Sequence, residues 1–138
     1  MDLSVLSALI EKHEGGRAKP YRDGLGKLTI GVGRNLDDVG LSSSEIDLLL
    51  RNDILDKIAQ MNREIPWWIS LDDTRRMVLV DMAFNLGVSG LLAFKKMLNA
   101  VFAGDYRTAA AEMLSSTWAA QVGSRADELA GMMVKGSS

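Results

Sequence analysis

Apolar residues recur along this chain at more than one period, and each change of period marks an element. Leu3, Leu6, Leu9 and Ile10 follow helical spacing, so the N-terminal stretch reads as an amphipathic helix. Gly15-Gly16 should end it, because consecutive glycines favour chain reversal over continuation. From there to Gly33 the helical period is lost. Two short segments, Ala18 to Arg22 and Lys27 to Val32, flank the glycine-rich Asp23-Gly-Leu-Gly26, which is the pattern of a β-hairpin. Asn35 to Gly40 reads as a polar connector. Ser42-Ser-Ser-Glu45 has the spacing of a capping box, with the serine accepting from a first-turn amide and the glutamate bonding back. Behind it Ile46, Leu49, Leu50, Ile54, Ile58 and Met61 form one apolar stripe, which predicts a helix from about Ser43 to Arg63, ended by Pro66.

Ser70-Leu-Asp-Asp73 reads as the cap of a further long helix. Its Met77, Val78, Val80, Met82, Ala83 and Phe84 are apolar nearly all round, as in a buried helix, until Gly87 and Gly90 break it. Leu91 to Ala103, Asp105 to Leu114, Thr117 to Val122 and Ser124 to Val134 read as four shorter helices, punctuated by Gly104, Ser115-Ser116 and Gly123. There is no internal repeat and no low-complexity segment. The pattern predicts an α+β, mostly helical domain of two lobes. A small β-containing lobe takes about residues 15–41, a helical lobe takes 1–14 and about 64–138, and the helix of about 43–63 joins them. A cleft between such lobes is the natural place for a site.

Composition narrows what such a site does. The 138 residues are enough to bury a core without metal or disulfide staples. With no cysteine, neither a disulfide framework nor a cysteine-based zinc site is available. The single histidine, His13, cannot form a histidine cluster and reads as a partly exposed helix-end residue. A formal charge of −2 gives no global attraction to nucleic acid or anionic surfaces. Asp2 stands where a signal peptide wants basic residues, and no apolar run reaches the length of a membrane span. The expectation is a monomer that accumulates in the cytoplasm without a signal of its own.

The stretch with chemical content is Glu14 to Gly33. It places Glu14 at a helix end, Asp23 at a glycine turn and Thr29 on the returning strand. Cleaving a glycosidic bond needs one carboxylic acid to protonate the leaving oxygen and one carboxylate to activate or position water. A partly shielded helix-end glutamate is suited to the acid role, and a hydrated aspartate to the second. The Thr29 hydroxyl can both donate to and accept from a water. Residue types alone leave the matter open, since a glutamate near a helix end and an aspartate before glycine are commonplace.

The arrangement of these residues resembles the active-site signature of phage-type lysozymes, the T4-lysozyme-like family of glycoside hydrolases. His13-Glu14-Gly15, Tyr21-Arg22-Asp23, Gly26 and Thr29-Ile-Gly-Val-Gly33 carry the likeness, with eight residues between the glutamate and the aspartate and five between the aspartate and the threonine. Ser70-Leu-Asp72, Arg75-Arg76 and Met82-Ala-Phe-Asn-Leu-Gly87 resemble that family's central buried helix. Thr117-Trp118, Gln121 and Arg125-Ala126 resemble its C-terminal segment. The resemblance implies a muramidase acting on the β-1,4 bond between N-acetylmuramic acid and N-acetylglucosamine of peptidoglycan, with inversion. It gives Glu14 the acid role, Asp23 the carboxylate that assists water and Thr29 the residue that helps hold it. Arg125 would pair with the catalytic glutamate, and Asn85 would bond a sugar N-acetyl group. No metal or cofactor is implied, and membrane opening would fall to a separate pore-forming protein. The alternative is a lysozyme-like module that grips the wall without cutting it.

Three departures from the family stand out: the net charge of −2 is unlike that of its strongly basic members, and the other two lie in the small lobe. Arg34 replaces a histidine common after the Gly-x-Gly, and the connector Asn35 to Leu41 is shorter than in the larger phage enzymes, which implies a reduced lobe and fewer sugar subsites. Other features read as structural. Gly24 to Thr29 lacks the spacing of a phosphate loop, and Gly31-Val-Gly33 reads as tight packing beside the site. Trp67, Trp68 and Trp118 read as packing residues, the eight methionines as core fillers, and Arg75-Arg76 as ion-pair partners of Asp72 and Asp73.

Overall fold

Most helices of this chain begin where a side-chain oxygen meets the first free amides, which is why their starts are sharp. The computed structural model describes residues 1–137, in two units: Met1–Leu49, and the remainder from Leu50.

In the first unit, Asp2 accepts from the amides of Ser4 and Val5 and opens α1 (Leu3–Glu14). Gly15, at φ 75°, ends it and returns its N–H to Glu11 O, a conformation that glycine reaches without a Cβ penalty. Leu6 is half-buried, whereas Leu3, Leu9 and Ile10 are exposed. Three strands follow, β1 (Arg17–Arg22), β2 (Leu28–Gly31) and β3 (Arg34–Asn35), as an antiparallel sheet in that order. Tyr21 stands opposite Thr29, and Thr29 opposite Asn35, with an irregularity in β1 between Arg17 and Tyr21. The hairpin is as the pattern foretells, but β3 begins at Arg34 and ends on Asn35, the first residue of what reads as connector. Two polar residues are too short to show a period.

Arg34 has a structural duty. Its guanidinium donates to Glu45 Oε1 at 2.6 Å and to Gly40 O at 3.2 Å, fastening β3 to the start of α2 (Ser43–Glu64). The capping box forms, with Ser42 N donating to Glu45 Oε1 at 2.8 Å and Glu45 N to Ser42 Oγ at 3.3 Å. Along α2 the apolar stripe is unevenly used. Ile46, Leu49 and Leu50 are exposed, Ile54 and Ile58 half-buried, and only Met61 is fully covered.

The second unit holds a 3₁₀ turn at Pro66–Ser70, then α3 (Asp73–Leu92), α4 (Lys95–Phe102), α5 (Tyr106–Leu114), α6 (Thr117–Val122) and α7 (Ser124–Lys135). Its core centres on Leu79, Met82, Leu91, Met97, Met113 and Met133; with Met61, five of the eight methionines fill the interior, whereas Met1 and Met77 are exposed. The cap of α3 is Asp72, which accepts from Arg75 N; Ser70 instead ends the 3₁₀ turn. Gly87, at φ 75° and ψ 160°, leaves the helical conformation and divides α3 at a kink, as the pattern predicts. Gly90 is needed because a Cβ there would lie 2.8 Å from Leu86 Cβ. The helix expected from Leu91 starts at Lys95 instead. Met77 (54% exposed) and Phe84 (39%) lie on the outer face of a helix that buries Val78, Leu79, Met82 and Ala83, so α3 is not buried all round. Among the described residues no single helix is long and apolar enough to cross a membrane.

The tryptophans are packing residues. Trp68 is buried and donates to Asn62 Oδ1 at 2.8 Å, and Trp67 meets Phe102 edge-on. Arg75 pairs with Asp72, lies 3.4 Å from the Tyr106 ring centroid, and donates to Met133 O and Val134 O, closing the C-terminal end of α7. Arg76 pairs with Asp73.

Candidate active site

Asp23, Lys27 and Thr29 form one hydrogen-bonded knot at the β1–β2 turn. Asp23 Oδ1 accepts from the amides of Leu25 and Lys27, both at 2.9 Å. This aspartate turn sets the chain reversal and fixes the carboxylate plane. Lys27 O accepts from Asp23 N at 2.9 Å and from Thr29 Oγ1 at 2.9 Å. One carbonyl thus ties the aspartate backbone to the threonine side chain. Asp23 Oδ2 has no hydrogen-bond partner among the described residues, which leaves it open to a ligand or water. Thr29 is 3% exposed, and its hydroxyl proton is committed to Lys27 O, so toward anything else it is an acceptor.

Glu14 lies at the other turn of the sheet. A Cβ built on Gly33 would stand 3.3 Å from Glu14 Oε2, so the carboxylate rests over the bare α-carbon of the β2–β3 turn. The close-packing reading of Gly31-Val-Gly33 holds for Gly33, with Glu14 as the neighbour, but not for Gly31, where a Cβ would meet nothing within 4 Å. The two turns sit at opposite ends of β2, whose rise is on the order of 10 Å. The structure therefore links Asp23 and Thr29 through the Lys27 carbonyl and sets Glu14 against the turn at the other end of β2. Glu14 is exposed, contrary to the partial shielding expected of it. The helix ends there, and Gly15 and Gly16 bring no side chain to cover it.

Asn85 and Arg125 belong to the second unit, and each already has a partner. Asn85 Oδ1 accepts from Trp118 Nε1 at 2.9 Å, which satisfies the indole of a tryptophan only 4% exposed. The Asn85 amide nitrogen makes no hydrogen bond among the described residues. Arg125 Nε donates to Asp81 Oδ1 at 2.8 Å, with a second contact to the same oxygen at 2.7 Å.

A larger groove lies in the second unit. It encloses ≈ 780 Å³ between Ile54, Ile58, Met77, Val80 and Phe84, with Asp81 and Arg125 also on its wall. The first unit has a groove of ≈ 540 Å³ lined by Ile30 to Asn35, Val39, Leu41 and Glu45, which includes Gly33 under Glu14. Glu14, Asp23 and Thr29 line neither groove; the smaller one is linked to them only through Gly33, which lies under Glu14, and the charged groups of the larger one are paired with each other.

Sequence reading missed the Lys27 backbone and the acidic pair Asp37-Asp38. Asp37 Oδ2 accepts from Leu28 N at 2.8 Å and lies 3.8 Å from Arg22, while Asp38 pairs with Lys27 Nζ at 3.2 Å and with Asn35. The only signal was two acids in a short connector beside a basic hairpin.

The chain is similar to known proteins over most of its length. The profile of the family described as phage lysozyme matches residues 11–135. Two proteins of Dictyostelium discoideum, named probable T4-type lysozyme 1 and probable T4-type lysozyme 2, are each 26% identical, over 98% of this chain and 96% of their own length. The pre-baseplate central spike protein Gp5 of Enterobacteria phage T4 is 27% identical over 96% of this chain; the chain spans 28% of that protein.

Proposed function

As the chain belongs to the phage lysozyme family, we propose that it is an endolysin-like muramidase that hydrolyses the β-1,4 bond between N-acetylmuramic acid and N-acetylglucosamine in peptidoglycan, with inversion. The observation that carries this reading is the pairing of a fixed Asp23–Thr29 knot with an exposed carboxylate at the opposite turn of the same sheet.

In the proposed reaction, protonated Glu14 gives its proton to the glycosidic oxygen as the bond from that oxygen to the anomeric carbon breaks. A water adds to the carbon from the other face and passes a proton to Asp23 Oδ2. The second hydrogen of that water bonds to Thr29 Oγ1, whose own proton is directed to Lys27 O. That geometry would aim a water lone pair at the sugar. Inversion requires carboxyls roughly 6.5–9.5 Å apart, which leaves room for a water where a direct nucleophile needs a closer pair. The exposed Glu14 would gain its shielding from the bound glycan, which displaces water around it. Asn85 enters as a donor to a sugar N-acetyl group through its amide nitrogen. Arg125 enters as a supporting residue whose charge is balanced by Asp81.

The exposure of Glu14 is the one observation that favours the second reading, a module that binds the wall without cutting it. Digestion of purified peptidoglycan separates the two. The muramidase reading expects new muramic acid reducing ends, released first as the α anomer from the β bond. Co-sedimentation with the wall without new reducing ends would establish the binder, and a β-anomeric first product would overturn inversion.

A further inference from the structure

The shortened connector is more than a missing wall. It folds back on the hairpin tip and makes its contacts at the residues that hold the candidate catalytic groups. Lys27 N and Lys27 O bind Asp23 and Thr29. Leu28, the residue between Lys27 and Thr29, is held at both of its backbone polar groups, its N–H donating to Asp37 Oδ2 at 2.8 Å and its C=O accepting from Leu36 N at 2.7 Å. Arg22, which flanks Asp23, lies 3.8 Å from the same Asp37 oxygen. From this convergence we infer that Asp37 is a positioning residue for the hydrolytic site, acting through Leu28 to hold Lys27 and Thr29 in the geometry that presents Asp23 and the water-accepting hydroxyl.

The contacts are unequal. The ion pair with Arg22 is long and half-exposed, of the kind that salt screens and that contributes little. The charge-assisted bond to the Leu28 amide is the one that matters, because a carboxylate accepting from a backbone N–H is short, directional and fixed to the chain. Its loss frees the first residue of the four-residue strand β2, next to the Lys27 carbonyl that ties Asp23 to Thr29. Asp38 is an ancillary brace, since its partner is the flexible ammonium of Lys27 and its own loop neighbour Asn35.

This inference rests on the muramidase reading for its consequence in turnover, but its structural half is independent, and the test reads both. The full chain is prepared as wild type, Asp37→Ala and Asp37→Asn, and amide exchange of Leu28 is followed by NMR beside the kinetics of reducing-end release from peptidoglycan. Asparagine keeps an acceptor oxygen at the same reach and loses only the charge. The expected result is that Asp37→Ala loses at least about tenfold in Leu28 protection and roughly tenfold or more in kcat, with KM within about twofold, as a misplaced catalytic group costs turnover before binding. Asp37→Asn should recover most of both. Unchanged Leu28 exchange and unchanged kcat in Asp37→Ala would overturn the inference, as would equal loss in Asp37→Asn. Should Asp37→Ala fail to fold, Asp37→Ser, whose oxygen is too short to reach Leu28 N, takes its place with the same expectations. Wild type that releases no reducing ends while Leu28 protection still depends on Asp37 would refute the muramidase reading and leave the brace standing.

Discussion

Thr29 shows how much a single hydroxyl is asked to do. It is almost wholly buried and gives its proton to Lys27 O, so replacing it by the isosteric valine removes a hydrogen bond worth about 1 kcal/mol and the acceptor for the proposed water. Thr29→Val should fold, melt slightly earlier and lose roughly 10²-fold in turnover, while Thr29→Ser keeps most of it; both are read by circular dichroism and reducing-end assay. The identity of this residue was legible in the sequence because its interval from Asp23 is part of a recognisable pattern. Its hydrogen-bond partner was not, since any residue at position 27 supplies a carbonyl. Arg34 was legible only as a departure, and its purpose appears with Glu45 eleven positions on. Asn85 and Arg125 carry types suited to a sugar site, yet their observed partners, Trp118 and Asp81, are contacts across helices that spacing does not reveal.

At the level of elements, caps and glycines were good guides and strand β3 was not, because capping chemistry is local whereas a two-residue strand exists only through its neighbour. Helix α7 illustrates two glycines with opposite meanings. Gly136 has φ 62°, and a Cβ there would lie 2.5 Å from the Arg75 guanidinium, which binds the last carbonyls of the helix. Gly131 is helical, exposed and has open space where a Cβ would go. Gly136→Ala should therefore destabilise by about 1–3 kcal/mol, from backbone strain and displacement of Arg75. Gly131→Ala should stabilise by about 0.5–1 kcal/mol through helix propensity. Urea denaturation of the two variants checks the contrast, and equal effects would show that Arg75 does not close α7. The stripe on α2 teaches the complementary lesson. Its period was right and predicted the helix, but period says which residues share a face and not whether anything covers it; Ile46 and Leu49 remain exposed.

Across the whole molecule, the carboxylates held below their ordinary range are the helix-start residues. The Ser4 hydroxyl lowers Asp2 and the Thr108 hydroxyl lowers Asp105, each helped by first-turn amides. The Arg34 hydrogen bond, followed by those from Ser42, brings Glu45 down to about 2. At Asp72 burial pushes upward and is the largest single influence, but the bonds from Ser137 and Arg75 together outweigh it. Each group is depressed on folding, so the stability it contributes is present above its unfolded pKa and is lost as pH falls through the folded one. The melting temperature should hold near neutrality and fall from about pH 4.5 downward, with Glu45→Gln flattening the part of that loss between about pH 4.5 and 2. A flat acid limb in wild type would contradict this. The larger claim is that Glu14 supplies the proton for glycoside cleavage, and it is tested most directly by reducing-end release from purified peptidoglycan with folded wild type and folded Glu14→Gln side by side. Wild type should cleave and Glu14→Gln should fall by roughly 10²–10⁴-fold, whereas equal release by the two proteins would contradict the assignment.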